Sequence, residues 1–592
     1  AQTRTPTRAV LCIATVAVDV AAATAFALTL YGGVVLLAKI IPVFKPRAVA
    51  VAEIGLVSVI LALNAVLVVR SEFLWGLPLT HPAKLGAFVA CGVGAVAVAV
   101  VWRAVRNKLA KRPVLIAAAA AAVAAGAVLF VLPEFRSAAR PKASGPNVIF
   151  ISLDTVRADH LRCYGYKYRT SPRVDRYAEE AVLYENAVCV QPTTNPSHVS
   201  MFTGLYPAEH GVVSNFVPLR TASPTLPELM AAHGYETAAV TGGFPLDRRI
   251  SNLGRGFRYY DDYITRWSYF RHALFYRFGA ALNKRLYGTL RPAPEVTASA
   301  LRILRRPRNR PLFLFAHYFD PHHPYSYHGR AERFFAGSAP VDFETENREL
   351  TRRWGRYKAG TPRPPFAAAM EALYDDEILY TDKAVGELIA GLRNAGGYDR
   401  TLVVVTSDHG ESFGEHGHKY HGGAVYDAET RVCLVIKPSA EGSAPRRVRT
   451  QVETLCLPYT ILAATGASAG GYDGKRLDLL AVGNDAAGPP AWGFSQTNDK
   501  TTLADGTEIS ARYSVRSADA KLIYDLTTRK YEYYDLAADP AEQNDLSEKT
   551  DAASYENYRS ALTPHIEKAA AASSGRIGGD LAEALKSLGY TN

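Results

Sequence analysis

Four apolar stretches crowd the first quarter of this chain, and a soluble packing does not accommodate them. They run from Ala9 to Leu37, Ala48 to Val69, Leu85 to Trp102 and Pro113 to Leu132. Each reaches or passes the ~18 residues that carry a helix across a hydrocarbon core. Buried helices of a soluble bundle keep a polar face at helical period, and the 113–132 stretch holds no charge at all. The first stretch is too long, and is followed by too many others, for a cleaved signal peptide. Ala1 in place of Met marks a processed or trimmed start. The expectation is a transmembrane unit of four helices over residues 1–132, in an integral membrane protein.

The loops set its orientation. Arg103, Arg106, Lys108, Lys111 and Arg112 crowd one loop, whereas the loop from Arg70 to Lys84 carries only those two basic residues. The positive-inside rule places the former in the cytoplasm and the chain beyond the fourth helix on the extracytoplasmic side, periplasmic or extracellular. Asp19 and Glu53, in or near the spans, are helix-end or intrabundle partners, or contacts for a lipid substrate. The same quarter explains the charge. From Ala1 to Gly145 there are 15 Lys+Arg and four Asp+Glu, which accounts for the whole formal +11, and the remaining 447 residues hold 52 of each sign. A basic face for nucleic acid is therefore not expected on the large domain. Six Cys at no regular spacing exclude a disulfide-stapled scaffold and a zinc-ribbon array.

Residues 133–146, rich in Pro, Ala, Ser and Arg, form a linker. Beyond it, runs of strand length alternate with helical stretches: Val148–Leu153, Thr237–Val240, Leu312–Ala316, Leu402–Thr406 and Val432–Ile436. Unbroken apolar strands between helices predict an α/β fold, an α/β/α sandwich around a mainly parallel sheet, over residues 147–490. In residues 491–592, Arg512–Arg516, Lys521–Tyr524 and Tyr531–Tyr534 alternate apolar and polar residues, the pattern of a small C-terminal antiparallel sheet.

Ligands of open α/β sheets bind where strands end. Asp154 follows the first of these strands, His317 the third, and Ser407, Asp408 and His409 the fourth. Any one of them could cap a helix. Together they place carboxylates and imidazoles at one sheet edge, the donor set of a divalent cation. Between the first two strands, Thr194-Asn195-Pro196 opens an amphipathic stretch that closes at Gly204, a helix with Asn195 as its N-cap. Thr194 then stands where free N–H groups and the helix dipole favour an anion.

Several spaced segments carry a resemblance. Ile151-Ser152-Leu153-Asp154-Thr155-Val156-Arg157-Ala158-Asp159-His160, Pro192 to Ser197, and Thr203-Gly204-Leu205-Tyr206-Pro207 resemble the sulfatase family of the alkaline phosphatase superfamily. So do Asp320-Pro321-His322-His323-Pro324-Tyr325, the run from Ser407 to Gly417, and the closing segments around Tyr534-Asp535-Leu536 and Asn544-Asp545-Leu546. The family's C-x-P-x-R signature, whose Cys becomes formylglycine, is absent: Thr194 stands at the Cys position and His198 at the Arg position. Nor does any other Cys substitute, since Cys456-Leu457-Pro458 lacks the Arg. The resemblance thus implies no formylglycine and one divalent metal ion, zinc, manganese or calcium, held by Asp154, Thr194, Asp408 and His409. It also implies that Thr194 is the nucleophile and that His198, His317, His322, His416 and His421 are substrate-binding groups. Hydrated formylglycine expels sulfate by collapsing to an aldehyde, whereas a threonine ester turns over only when water or an acceptor alcohol attacks it directly. Thr-based relatives include membrane-anchored phosphoethanolamine and glycerol-phosphate transferases, which share the layout of a few helices and an outward catalytic domain. Three readings stand: a sulfatase-like hydrolase of sulfate or phosphate esters, a phosphotransferase to lipid or glycan, and an inactive anion- or glycan-binding protein that keeps the fold.

Overall fold

The computed structural model describes residues 145–262, 291–325, 349, 352–354, 356–357, 362–439, 444–483, 491–497, 499–502 and 508–574. The four apolar stretches lie outside these residues, as does most of the linker. Among the described residues no helix is long and apolar enough to cross a membrane.

Eight strands form the central sheet: β1 (Asn147–Leu153), β2 (Val182–Tyr184), β3 (Glu236–Thr241), β4 (Tyr259–Asp261), β5 (Leu312–Tyr318), β6 (Thr401–Ser407), β7 (Leu434–Lys437) and β8 (Arg446–Val448). Their order is β8-β2-β7-β6-β1-β5-β3-β4, and β7 alone runs against the rest. β1 is buried along nearly its whole length because both sheet faces are covered. Val148 and Phe150 join one apolar core, while Ile149, Ile151 and Leu153 join the other, as the two-residue period of a strand requires. On the Phe150 side pack helices α2 (Thr194–Thr203), α3 (Leu226–Ala232) and α6 (Leu457–Thr465). On the other side lie α1 (Pro172–Ala178), α4 (Ala293–Leu304) and α5 (Ala367–Asn394). The result is the expected α/β/α sandwich.

A four-stranded antiparallel sheet, β9 (Gly493–Gln496), β10 (Arg512–Arg516), β11 (Ala520–Asp525) and β12 (Lys530–Asp535), packs against α7 (Glu556–Ser574). The sequence pattern had marked three of these strands within one residue at either end.

Two expectations need correction. The run Val432–Ile436 is not one strand: Arg431–Val432 pairs with Ala187–Val188, and only Leu434–Lys437 enters the main sheet, antiparallel. An apolar run does not encode direction, which here is set by the pairing of Leu434–Lys437 between β6 and β2. The helix after Pro192 begins at Thr194, with Thr193 rather than Asn195 at the N-cap. Pro196 is tolerated at the third helical position because the first N–H groups of a helix have no internal partner. Nor is α2 amphipathic, since every residue from Thr194 to Thr203 is buried. Its Gly204 adopts a left-handed φ of 71°, and a Cβ there would lie 1.8 Å from the Tyr472 hydroxyl.

Candidate active site

The parallel strands β6, β1 and β5 lie side by side and end at one edge, so Asp408 and His409, Asp154, and His317 converge. α2 brings Thr194 to the same place, wedged onto the sheet by Phe202, whose ring meets Phe150 and Phe315 at 6.0 and 5.0 Å. Three interlocked aromatics contribute about 1.5–3 kcal/mol each through burial, a rigid floor for the helix start. Ser197 Oγ then donates to the Asp408 carbonyl at 2.7 Å and locks helix to strand end.

Thr194, Asp154, Asp408 and His409 are all fully buried. The Thr194 hydroxyl faces His409 Nε2 at 3.4 Å. His409 Nδ1 donates to the Gly410 carbonyl at 2.9 Å, so its Nε2 lone pair points into the site. A side chain at Gly410 would collide with the Ala428 carbonyl oxygen at 2.1 Å, which is why that close approach takes glycine. Asp408 Oδ1 accepts the N–H groups of Thr155 and His409 at 3.1 and 2.9 Å. Thr155 holds a left-handed φ of 58°, and the Tyr374 hydroxyl fixes this turn by donating to its carbonyl at 2.7 Å.

What remains unpaired is informative. Asp154 Oδ1 and Asp408 Oδ2 are buried and have no hydrogen-bond partner. Burial, and for Asp408 the charge of Asp154, pushes both carboxyls well above their ordinary range. Burial likewise holds His409 well below its usual value, as a neutral imidazole. Ligand atoms of Asp154, Asp408 and His409 lie within 4.8 Å of one another. Two carboxylate oxygens, a neutral imidazole nitrogen and a hydroxyl fit a divalent cation, which would relieve this clustering. His198, His317 and Asp408 form a second such group. There, however, His198 Nδ1 donates to the Thr194 carbonyl at 2.7 Å, His198 Nε2 meets Ser152 Oγ at 2.9 Å, and His317 Nε2 meets Asp154 Oδ2 at 3.0 Å.

The five expected substrate histidines separate. His322 and His421 line the mouth, half-buried, with ring centroids 5.0 Å apart and His421 4.3 Å from the His409 ring. Burial opposes a charge on His421, but the Glu411 carboxylate, 3.3 Å from its Nδ1, prevails and lifts it to about 9. His317, pushed down to about 3 by burial, backs Asp154 from behind. His198 stands at the position expected to contact the anion, yet it is fully buried with both ring nitrogens engaged. An imidazole is too short to reach past its own helix. His416 stacks on Tyr426 at 3.7 Å and faces Tyr534 of β12, away from the cluster. The expected array of helix amides is also thinner: Asn195 N–H is taken by Asn215 Oδ1 at 2.8 Å, and Ser197 N–H closes the first turn on Thr193.

Two carboxylates escaped the sequence reading. Glu411 lies inside the Asp408–Gly417 segment and was legible there as an acid beside a histidine. Glu429 was not. It is fully buried, accepts the Ser412 hydroxyl at 2.8 Å, and accepts the N–H groups of Gly422 and Ala424 at 2.8 and 3.1 Å, thereby fixing the loop that carries His421.

A parallel sheet that delivers paired carboxylates and an imidazole to a hydroxyl at a helix start defines an ester hydrolase of the alkaline phosphatase superfamily. Comparison with known proteins agrees. A family model described as Sulfatase matches residues 146–467, more than half of the chain, and the chain belongs to that family. An N-acetylglucosamine-6-O-sulfatase of Bacteroides thetaiotaomicron is 22% identical over 72% of this chain and 86% of its own. A multifunctional alkaline phosphatase superfamily protein of Trinickia caryophylli is 26% identical over 67% of this chain and 92% of its own. The crystal structure of a phosphonate monoester hydrolase of Agrobacterium radiobacter shares the fold, with a TM-score of 0.53 and 20% identity over 72% of this chain and 93% of that one.

Proposed function

We propose that this enzyme is a metal-dependent hydrolase of phosphate- or sulfate-type esters that works through a covalent ester of Thr194. One observation carries the reading: the Thr194 hydroxyl lies beside His409 Nε2, next to the two unpaired carboxylate oxygens of Asp154 and Asp408. Asp154, Asp408, His409 and Thr194 would hold a divalent cation, zinc, manganese or calcium, whose charge lowers the pKa of the alcohol. Thr194 would enter as the alkoxide, its proton released to solvent beforehand; its Oγ1 attacks phosphorus or sulfur in line, and the bond to the leaving alcohol breaks. His421, charged through Glu411, gives that alcohol its proton; water then attacks the Thr194 ester, and the neutral His421 takes the water's proton. His322 hydrogen-bonds a non-bridging oxygen, and His317 holds Asp154 in place. Direct attack at the central atom in both steps is ordinary phosphoryl-transfer chemistry, which favours phosphorus over sulfur for a threonine. The four apolar stretches support a membrane-anchored protein with this domain on the extracytoplasmic side. They also favour, as a second reading, transfer of the phosphoryl group to an alcohol of a lipid or glycan.

Intact-mass measurement after mixing with 4-nitrophenyl phosphate or 4-nitrophenyl sulfate tests this. The expected result is a phosphoryl or sulfuryl adduct that maps to Thr194 and is absent from Thr194→Ala. An adduct elsewhere, or turnover that survives Thr194→Ala, overturns it.

A further inference from the structure

Phe216 is 71% exposed, the more exposed of the two large apolar side chains found at the described surface. It does not sit on a loose tip. Gln191 Nε2 donates to the Val213 carbonyl and Asn195 Nδ2 to the Val217 carbonyl, both at 2.8 Å, while Asn215 Oδ1 accepts the Asn195 N–H. The loop is thus tied on both sides of Phe216 to the residues that flank the nucleophile. From Phe216 a file of rings leads inward. Its ring centroid is 6.3 Å from Phe244, Phe244 is 6.5 Å from Phe319, and Phe319 stacks on His322 at 4.4 Å. Gly243 lets the inner ring settle, since a Cβ there would lie 2.3 Å from the Phe319 ring. The file ends at the mouth, where His322 meets His421.

An exposed aromatic held rigidly beside a nucleophile contributes nothing to the core; its cost is offset when a ligand covers it. We propose that Phe216 and Phe244, backed by the buried Phe319, form a wall that receives an apolar group on the alcohol side of the ester, namely the alkyl chain of an amphiphile. The argument for that occupant is continuity: the file ends at His322, whose ring is 5.0 Å from His421, the histidine assigned to the leaving alcohol, so a chain attached to that oxygen runs out towards Phe244 and Phe216. The proposal rests on the active-site reading above and names the substrate class that site takes.

Binding of alkylphosphonates from methyl to octyl, each below its micelle concentration, to the purified full chain tests it by calorimetry without turnover. Affinity is expected to tighten up to about fourfold per methylene over the first few carbons. Phe216→Ser should flatten that slope and leave methylphosphonate affinity unchanged, and Phe216→Leu should keep most of it. An equal slope in Phe216→Ser, or none in the wild type while methylphosphonate still binds, overturns the wall and spares the active-site reading. Failure to bind any member of the series overturns both. A concentration-dependent dimer abolished by Phe216→Ser, with no chain-length effect, assigns the face to a second copy and overturns the proposal.

Discussion

Replacing Asp408 by Asn should stabilise the metal-free protein while abolishing its turnover. The two carboxylates have ligand atoms within 4.8 Å and are fully buried, with one oxygen of each unpaired. At an effective dielectric of about 20, two negative charges at that separation repel by about 3.5 kcal/mol. Asn keeps the oxygen that accepts the Thr155 and His409 N–H groups, so the substitution removes charge without removing those bonds. The gain depends on pH. Both carboxyls are raised by burial, so in the folded protein they hold a proton that the unfolded chain releases near its ordinary value of about 3.9. Stability is therefore fully present below that value and is lost as pH rises through the folded values, by at most about 1.4 kcal/mol per pH unit for each group. Urea unfolding of chelator-treated wild type and variant at pH 5 and pH 8 reads this directly. The variant should gain up to ~3 kcal/mol at pH 8 and little at pH 5, and added zinc or manganese should stabilise the wild type alone. A variant that is less stable by the same amount at both pH values would refute the buried like-charge pair, and with it the reason for a cation.

Glu429→Ala removes the acceptor of two buried N–H groups and one hydroxyl, so the loop bearing His421 should drift. Turnover of alkyl esters, which need a proton on the leaving group, should fall roughly tenfold or more, with a smaller loss on 4-nitrophenyl esters; a uniform loss across leaving groups would show that Glu429 acts on the fold alone. His210 is buried, accepts the Val212 N–H on Nδ1 at 3.0 Å and meets Ser200 Oγ through Nε2 at 2.9 Å; burial pushes it down to about 3. The unfolded chain takes up that proton near pH 6.5, so stability should fall with pH below about 6.5 by up to ~1.4 kcal/mol per unit. His210→Gln should show a shallower acid limb in urea unfolding, and an unchanged limb would count against the buried neutral ring.

The sequence by itself determined the sheet, because unbroken apolar runs between helices have few other solutions, and β1, β5 and β6 appear within two residues of their expected ends. It also determined the edge that carries the candidate site. Asp154, Asp408 and His409 follow strands and His317 is the penultimate residue of one, and parallel strands bring the residues at their ends to one side. Strands β2, β4 and β8, three residues each, carried too short a pattern to be read, and the direction of β7 is set by its pairing with β6 and β2. The histidines show the limit most clearly. His198, His317, His322, His416 and His421 are alike as letters, yet two line the mouth, two are buried behind Thr194 and Asp154 and one stacks on Tyr426. Only tertiary structure decided among them, because a role is set by burial, by which ring nitrogen is already bonded, and by a carboxylate brought from elsewhere in the chain. Local sequence places a residue at the end of a strand; the field it stands in comes from everything folded around it.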